Sequence, residues 1–308
     1  MTATTVDFGP SLQHCSKSDW IAEVAELVEY DGSSARLGKR HSAFFTEHGK
    51  TLLVSFETLQ GIRALSPKAQ PMGWKMVKNN GWSCLSLVSD GDTWFRNPAV
   101  YAYFDHLVDD GFFEEFDRVL FFGAGPCGYA AAAFSVVAPG ARVLAIQPQA
   151  TLDPARTEWD RRFPEQRRVS FSGRFGYAPD MLEAAECAYV VYDPLQTEDA
   201  MHATLFSGPN VQKRRLRHMG SALQTDLLQM DALYGMLEAA AAGALTPSTF
   251  ARLTRARRNH LPYLKRVLAR LDRDDRTELA RVLCHNVSAR MRAPGFAQRL
   301  AELNLQDA

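Results

Sequence analysis

The chain has 308 residues, 46% of them hydrophobic and 23% charged, which is ample for a well-buried α/β body with room for an appendage. Its 35 basic residues balance 35 acidic ones, which argues against a protein whose main task is to coat nucleic acid or an anionic membrane. That balance hides an asymmetry, because beyond Thr246 a series of arginines from Arg252 to Arg299 outweighs the acids and leaves the preceding body net acidic.

The first residues show no basic flank leading into an apolar run, and no window approaches the roughly 18 to 20 apolar residues of a membrane helix, so a cytoplasmic protein free of membranes is expected. A capping serine or aspartate and apolar residues at helical spacing predict a first helix over 17–30. Ser42 to His48 and Thr51 to Glu57 read as strands joined into a hairpin by Gly49 and Lys50. A helix over 72–79, a strand from Cys84 to Ser89, the turn SDGDTWFRNP and a helix over 99–108 lead to the strand VLFFG at Val119 to Gly123. Asp90 and Asp92 in that turn read as an Asp-Gly turn with a helix cap, overhanging any pocket at the strand ends.

The same alternation continues with a strand from Arg142 to Pro148, a polar arginine-rich insertion over 155–175, a strand from Cys187 to Pro194 and a helix over 199–206. A last strand opens at Val211, its basic residues suiting an exposed edge. Pro247 and Ser248 read as hinge and cap, dividing an α/β domain over 1–245 from a helical, arginine-rich appendage over 246–308. Amphipathic leucines in the appendage suit packing on the body or self-association. The five cysteines are scattered and never in a CxxC spacing, so no disulfide framework and no metal site is expected. His202 stands three residues after Asp199, and two such ligands without a third do not make a metal site either.

Function turns on VLFFGAGPCGYAAAAFS, a strand, tight turn and alanine-rich helix, and it has three readings. Gly123, Gly125 and Gly128 match GxGxxG between a strand and a helix, the setting of an NAD or FAD cradle. The following strand ends in Gln147 and Gln149 where an acid should meet the ribose hydroxyls. In the second reading the run, together with RVLAIQPQATLDP after it, resembles the GxSxGGY nucleophile elbow and next strand of α/β-hydrolase-fold proteins. That resemblance implies a mostly parallel sheet flanked by helices in a three-layer sandwich, over about Ala43 to Met236. It puts Gly125 in the nucleophile's place, Pro126 where the next backbone N–H should serve the oxyanion hole, and Ser221 where the family has histidine. Asp193, or Asp199, stands as the acid. The third reading shifts the frame by two, with Cys127 as nucleophile, His218 as base and Asp193 or Asp199 orienting it.

The expectation is an α/β-hydrolase-like protein without the serine–histidine pair, binding a small molecule or a protein partner in the former active-site crevice and using no cofactor. The competing class is an enzyme, either a Cys127 hydrolase or acyltransferase or a dinucleotide-dependent oxidoreductase.

Overall fold

The computed structural model describes residues 8–305, the side chain of residue 167 aside. Eight strands form one sheet in the order β1-β2-β4-β3-β5-β6-β7-β8: β1 Gly32–Leu37, β2 His41–Thr46, β3 Thr51–Thr58, β4 Ser83–Ser89, β5 Arg118–Ala124, β6 Arg142–Ile146, β7 Cys187–Tyr192 and β8 Val211–Arg215. β1 and β4 run antiparallel to β2, and every other pairing is parallel. The central strands are near-continuous apolar runs because both faces are covered.

Helices α1 Lys17–Glu29, α2 Leu59–Leu65 and α3 Gly73–Asn80 are followed by α4 Pro98–Asp109, α5 Pro126–Phe134, α6 Pro154–Thr157 and α7 Thr197–Leu205. Residues alternate along the strands, so Phe56, Leu87, Phe121 and Val143 meet α4 and α5 on one face. Leu53, Phe122, Leu144 and Val191 meet α8 Leu223–Gln229, α9 Leu233–Ala241 and α10 Pro247–Leu253 on the other. The result is a three-layer sandwich. Ser16 caps α1 by accepting from the Asp19 amide, and Asn97 caps α4 by accepting from Ala99.

Two features differ from the sequence reading. The hairpin over Gly49 and Lys50 is absent, because β2 and β3 do not pair with each other; β4 lies between them. The Ser83 hydroxyl holds the crossing, accepting from the His48 and Gly49 amides at 2.9 and 3.1 Å and donating to the Gly49 carbonyl at 2.8 Å. β1 carried no pattern that sequence reasoning could use, since of GSSARL only Leu37 is buried. The insertion over 155–175 is mostly irregular, and it sends Phe171 and Phe175 into the core around Tyr129 and Phe134.

At the C-terminal end Thr246, rather than Ser248, caps α10 by accepting from the Thr249 amide at 3.1 Å. Phe250 of α10 joins the body's core, whereas α11 Leu261–Arg273, α12 Thr277–Arg290 and α13 Pro294–Leu305 enclose a separate cluster of Leu264, Cys284, Val287 and Phe296. The buried Asp226 of α8 joins the two, pairing with His260 at 2.9 Å and with Arg266 at 2.7 Å. Removing one partner of such a pair strands the others, so Asp226→Ala is expected to cost about 3 kcal/mol in urea unfolding and to speed amide exchange in α11.

Candidate functional site

The turn after β5 is built by close contact between strand and helix. A Cβ added at Gly123 would collide with the Cys127 carbonyl, and one at Gly128 would lie 3.1 Å from the Ile146 carbonyl oxygen and 3.2 Å from that of Gly123. Both glycines are therefore used by backbone packing inside the protein. Gly125 is different: it has φ +56° and ψ −125°, and a Cβ there would meet nothing within 4 Å. Strand β5 ends at Ala124 and α5 begins at Pro126, so Gly125 is the apex of the strand-to-helix turn. Its amide donates to the Ile146 carbonyl at 2.8 Å and its carbonyl accepts from Tyr129 at 3.0 Å. Gly123→Ala is expected to cost more than about 3 kcal/mol in urea unfolding, and Gly125→Ala only the backbone strain, about 2 kcal/mol.

Cys127 sits in the first turn of α5, two residues past the apex, buried and facing a crevice. Burial, reinforced by the negative charges of Asp92 and Glu57, pushes its thiol well above the ordinary range. Asp193 follows β7 directly, but its carboxylate accepts from the Leu195 amide at 2.9 Å and the Gly220 amide at 2.7 Å. His218 follows β8 with φ +65°, and Arg266 reaches from α11 to its carbonyl at 3.3 Å. Burial lowers the His218 pKa, with Asp193 opposing and Arg270 and Arg217 assisting. Among the described residues no hydrogen bond joins His218 to Asp193, and neither lines the crevice that Cys127 faces. Ser221 is exposed in the loop before α8.

Asp199 is engaged elsewhere, pairing with Arg162 at 2.6 Å and accepting from Gln147 at 2.6 Å. The same arginine grips Asp160, which also accepts from Nε2 of the fully buried His202 at 2.8 Å, while Nδ1 of His202 accepts from the Ala150 amide. Burial alone would raise the Asp160 carboxyl, but hydrogen bonds from His202 and Arg162 hold it well below the usual range. Asp199 and His202 thus belong to a buried network that ties the 155–175 segment to α7. Gln147 is part of the same joint, since its side-chain amide donates to Asp199 while its Oε1 accepts from the Leu223 amide at 3.1 Å. Among the described residues no group of three or more metal-ligating side chains converges, and no helix is long and apolar enough to cross a membrane.

The crevice opens at the carboxyl ends of β3, β4 and β5 and has a volume of about 610 Å³. Leu65 and Tyr234 form walls, Ala124 and Pro126 flank the apex, and α8 contributes Gln224 and Leu228. At its floor lies Glu57, which the sequence reading names only as the last residue of a strand. Its Oε1 accepts from the Ser55 hydroxyl at 3.0 Å, and the Met72 amide donates to both oxygens at 3.1–3.2 Å. Burial raises the carboxyl to about 7 against these stabilising hydrogen bonds. The folded state therefore favours the protonated form, and stability falls as pH rises from about 4.5 to about 7. Glu57→Gln is expected to escape this loss, gaining up to about 3 kcal/mol on the wild type at pH 8 and little at pH 4, read by urea unfolding.

No protein-family model and no curated protein matches the chain. Among solved structures it is similar to EstE1, a thermophilic and thermostable carboxylesterase cloned from a metagenomic library, at 18% identity over 76% of this chain and 99% of that one, with a TM-score of 0.40. It is similar to Est1E from Butyrivibrio proteoclasticus at 10% identity over 63% of this chain and 93% of that one, TM-score 0.38. A chain of the Gap123 glycosylation-associated protein complex from Streptococcus agalactiae is 11% identical over 65% of this chain and 44% of that one, TM-score 0.42. Such distant likenesses say nothing of chemistry. In strand order, antiparallel opening and strand-to-helix turn, the chain is an α/β-hydrolase-fold protein with a C-terminal helical appendage.

Proposed function

We propose that this chain is a non-hydrolytic binding protein that takes a small molecule in the crevice beside the turn. The observation that carries the reading is the Gly125–Pro126 pair at the apex: the position from which a nucleophile would project has no side chain, and the next residue has no N–H. Loss of one oxyanion donor alone typically costs about a hundred- to a thousandfold in rate. The crevice volume of about 610 Å³ falls within the usual range for small-molecule sites.

Cys127 is the thiol at the crevice, and its raised pKa, with His218 and Asp193 outside the crevice lining, argues against the activation a thiol nucleophile needs. A dinucleotide role loses support because Gly123 and Gly128 are spent on internal packing and Gln147 is tied to Leu223 and Asp199.

The test is turnover of p-nitrophenyl butyrate and of the matching thioester. Wild type, Cys127→Ser and Gly125→Ser are all expected to stay at the blank rate, with Cys127 unmodified by iodoacetamide in the native protein at pH 8. Wild-type turnover abolished in Cys127→Ser would establish a thiol enzyme instead. Nucleotide released on denaturation would establish the dinucleotide reading.

A further inference from the structure

The chemistry of the crevice floor narrows the ligand class, and the narrowing rests on the binding reading above. Glu57 is buried at the end of β3, and its hydrogen bonds come from neutral groups, the Ser55 hydroxyl and the Met72 amide. Behind it, Ser55 continues the polar chain to Ser86 at 3.2 Å and Ser86 meets Cys84 at 3.4 Å, so no cation approaches from within the sheet. Among the described residues Oε2 accepts only from the Met72 amide, at 3.1 Å, leaving capacity for another donor.

On the crevice side, the other titratable groups near the floor are Asp92, Cys127 and Tyr234, which add negative charge or none. The lysines stand at the rim. Lys75 is 46% exposed, 3.9 Å from Asp231 and with its ammonium 3.8 Å above the Tyr234 ring, and Lys68 donates to the Gly9 carbonyl at 3.1 Å. Lys78 is exposed. Exposed rim charges are screened by water, whereas the buried carboxyl acts in a medium of lower dielectric and dominates at short range. The crevice wall already holds one ammonium on an aromatic face, that of Lys75 on Tyr234, and the half-buried Leu65 and Leu228 offer further apolar surface.

We propose that the crevice recognises a primary amine on an aryl or alkyl body, with the ammonium donating to Glu57 and the body lying along Leu65, Leu228 and Tyr234. Ligand binding then supplies the positive charge that the fold leaves out.

Three probes sharing one apolar body separate the possibilities: 4-phenylbutylamine, 4-phenylbutanol and 4-phenylbutyrate, titrated calorimetrically into the full chain. The amine is expected to bind at least about tenfold more tightly than either of the others at pH 8, and Glu57→Gln to remove that preference while leaving the alcohol within about twofold. In the wild type the affinity for the amine is expected to rise about tenfold from pH 6 to pH 8, as a carboxyl with a pKa of about 7 ionises. The Cys127 thiol and the Tyr234 hydroxyl, the latter raised to about 12, stay protonated across that window, and Asp92→Asn tests the remaining acid, whose carboxyl is also raised by burial. The pH profile decides the matter even if Glu57→Gln does not fold.

Equal affinity for amine and alcohol, an amine preference that survives Glu57→Gln, or no saturable binding of any probe overturns the proposal. So does a preference for the carboxylate that is lost in Lys75→Ala or Lys78→Ala. Ester turnover by the wild type would instead sink the binding reading while leaving these relative affinities as measured.

Discussion

The close approach of α5 to β5 is the constraint on which the rest of the molecule depends. Two residues without a Cβ, Gly123 and Gly128, let the helix backbone come down onto the carboxyl end of the strand. The alanines that follow, Ala130 to Ala133, are all buried and keep the helix near the sheet for its whole length. That approach leaves the chain one sharp reversal in which to turn, and Gly125 makes it with a positive φ. Everything around the crevice is placed relative to that reversal: Pro126 and Cys127 on one side, the end of β3 with Glu57 on another, and α8 across the opening.

The parts of this arrangement legible in the sequence were those with a short-range signature. The parallel strands announce themselves as apolar runs because both their faces are covered, and the turn announces itself because glycine spacing reports backbone contact. Strand β1 and the crossing from β2 to β3 were not legible. One is a polar edge strand with a single buried residue, and the other is a Gly-Lys step that resembles a hairpin until β4, thirty residues later in the chain, takes the space between. The surroundings of the candidate acids were not legible for a related reason. The partners of Asp193 and Asp199, Gly220 and Arg162, are supplied by segments whose approach no local pattern encodes.

Glu57 illustrates the opposite case, a residue whose local setting looks ordinary and whose tertiary setting is not. A carboxyl that ends an apolar strand would usually be solvated, yet here the segment leading into α3 and the start of α5 close over it. A protein that gains nothing from a buried acid would do better with an amide or an apolar side chain there. A local cost that neutral hydrogen bonds offset only in part is where physical reasoning often meets a binding site.

Helix α8 is only seven residues long, and its two faces serve different masters. Gln224 and Leu228 line the crevice, while Asp226 holds His260 and Arg266 of the C-terminal helices. Crevice and appendage therefore share one short helix. Any free-energy coupling that runs through it is reciprocal: an occupant that changed how firmly the C-terminal helices are held would have its own affinity changed by the same amount when those helices are loosened.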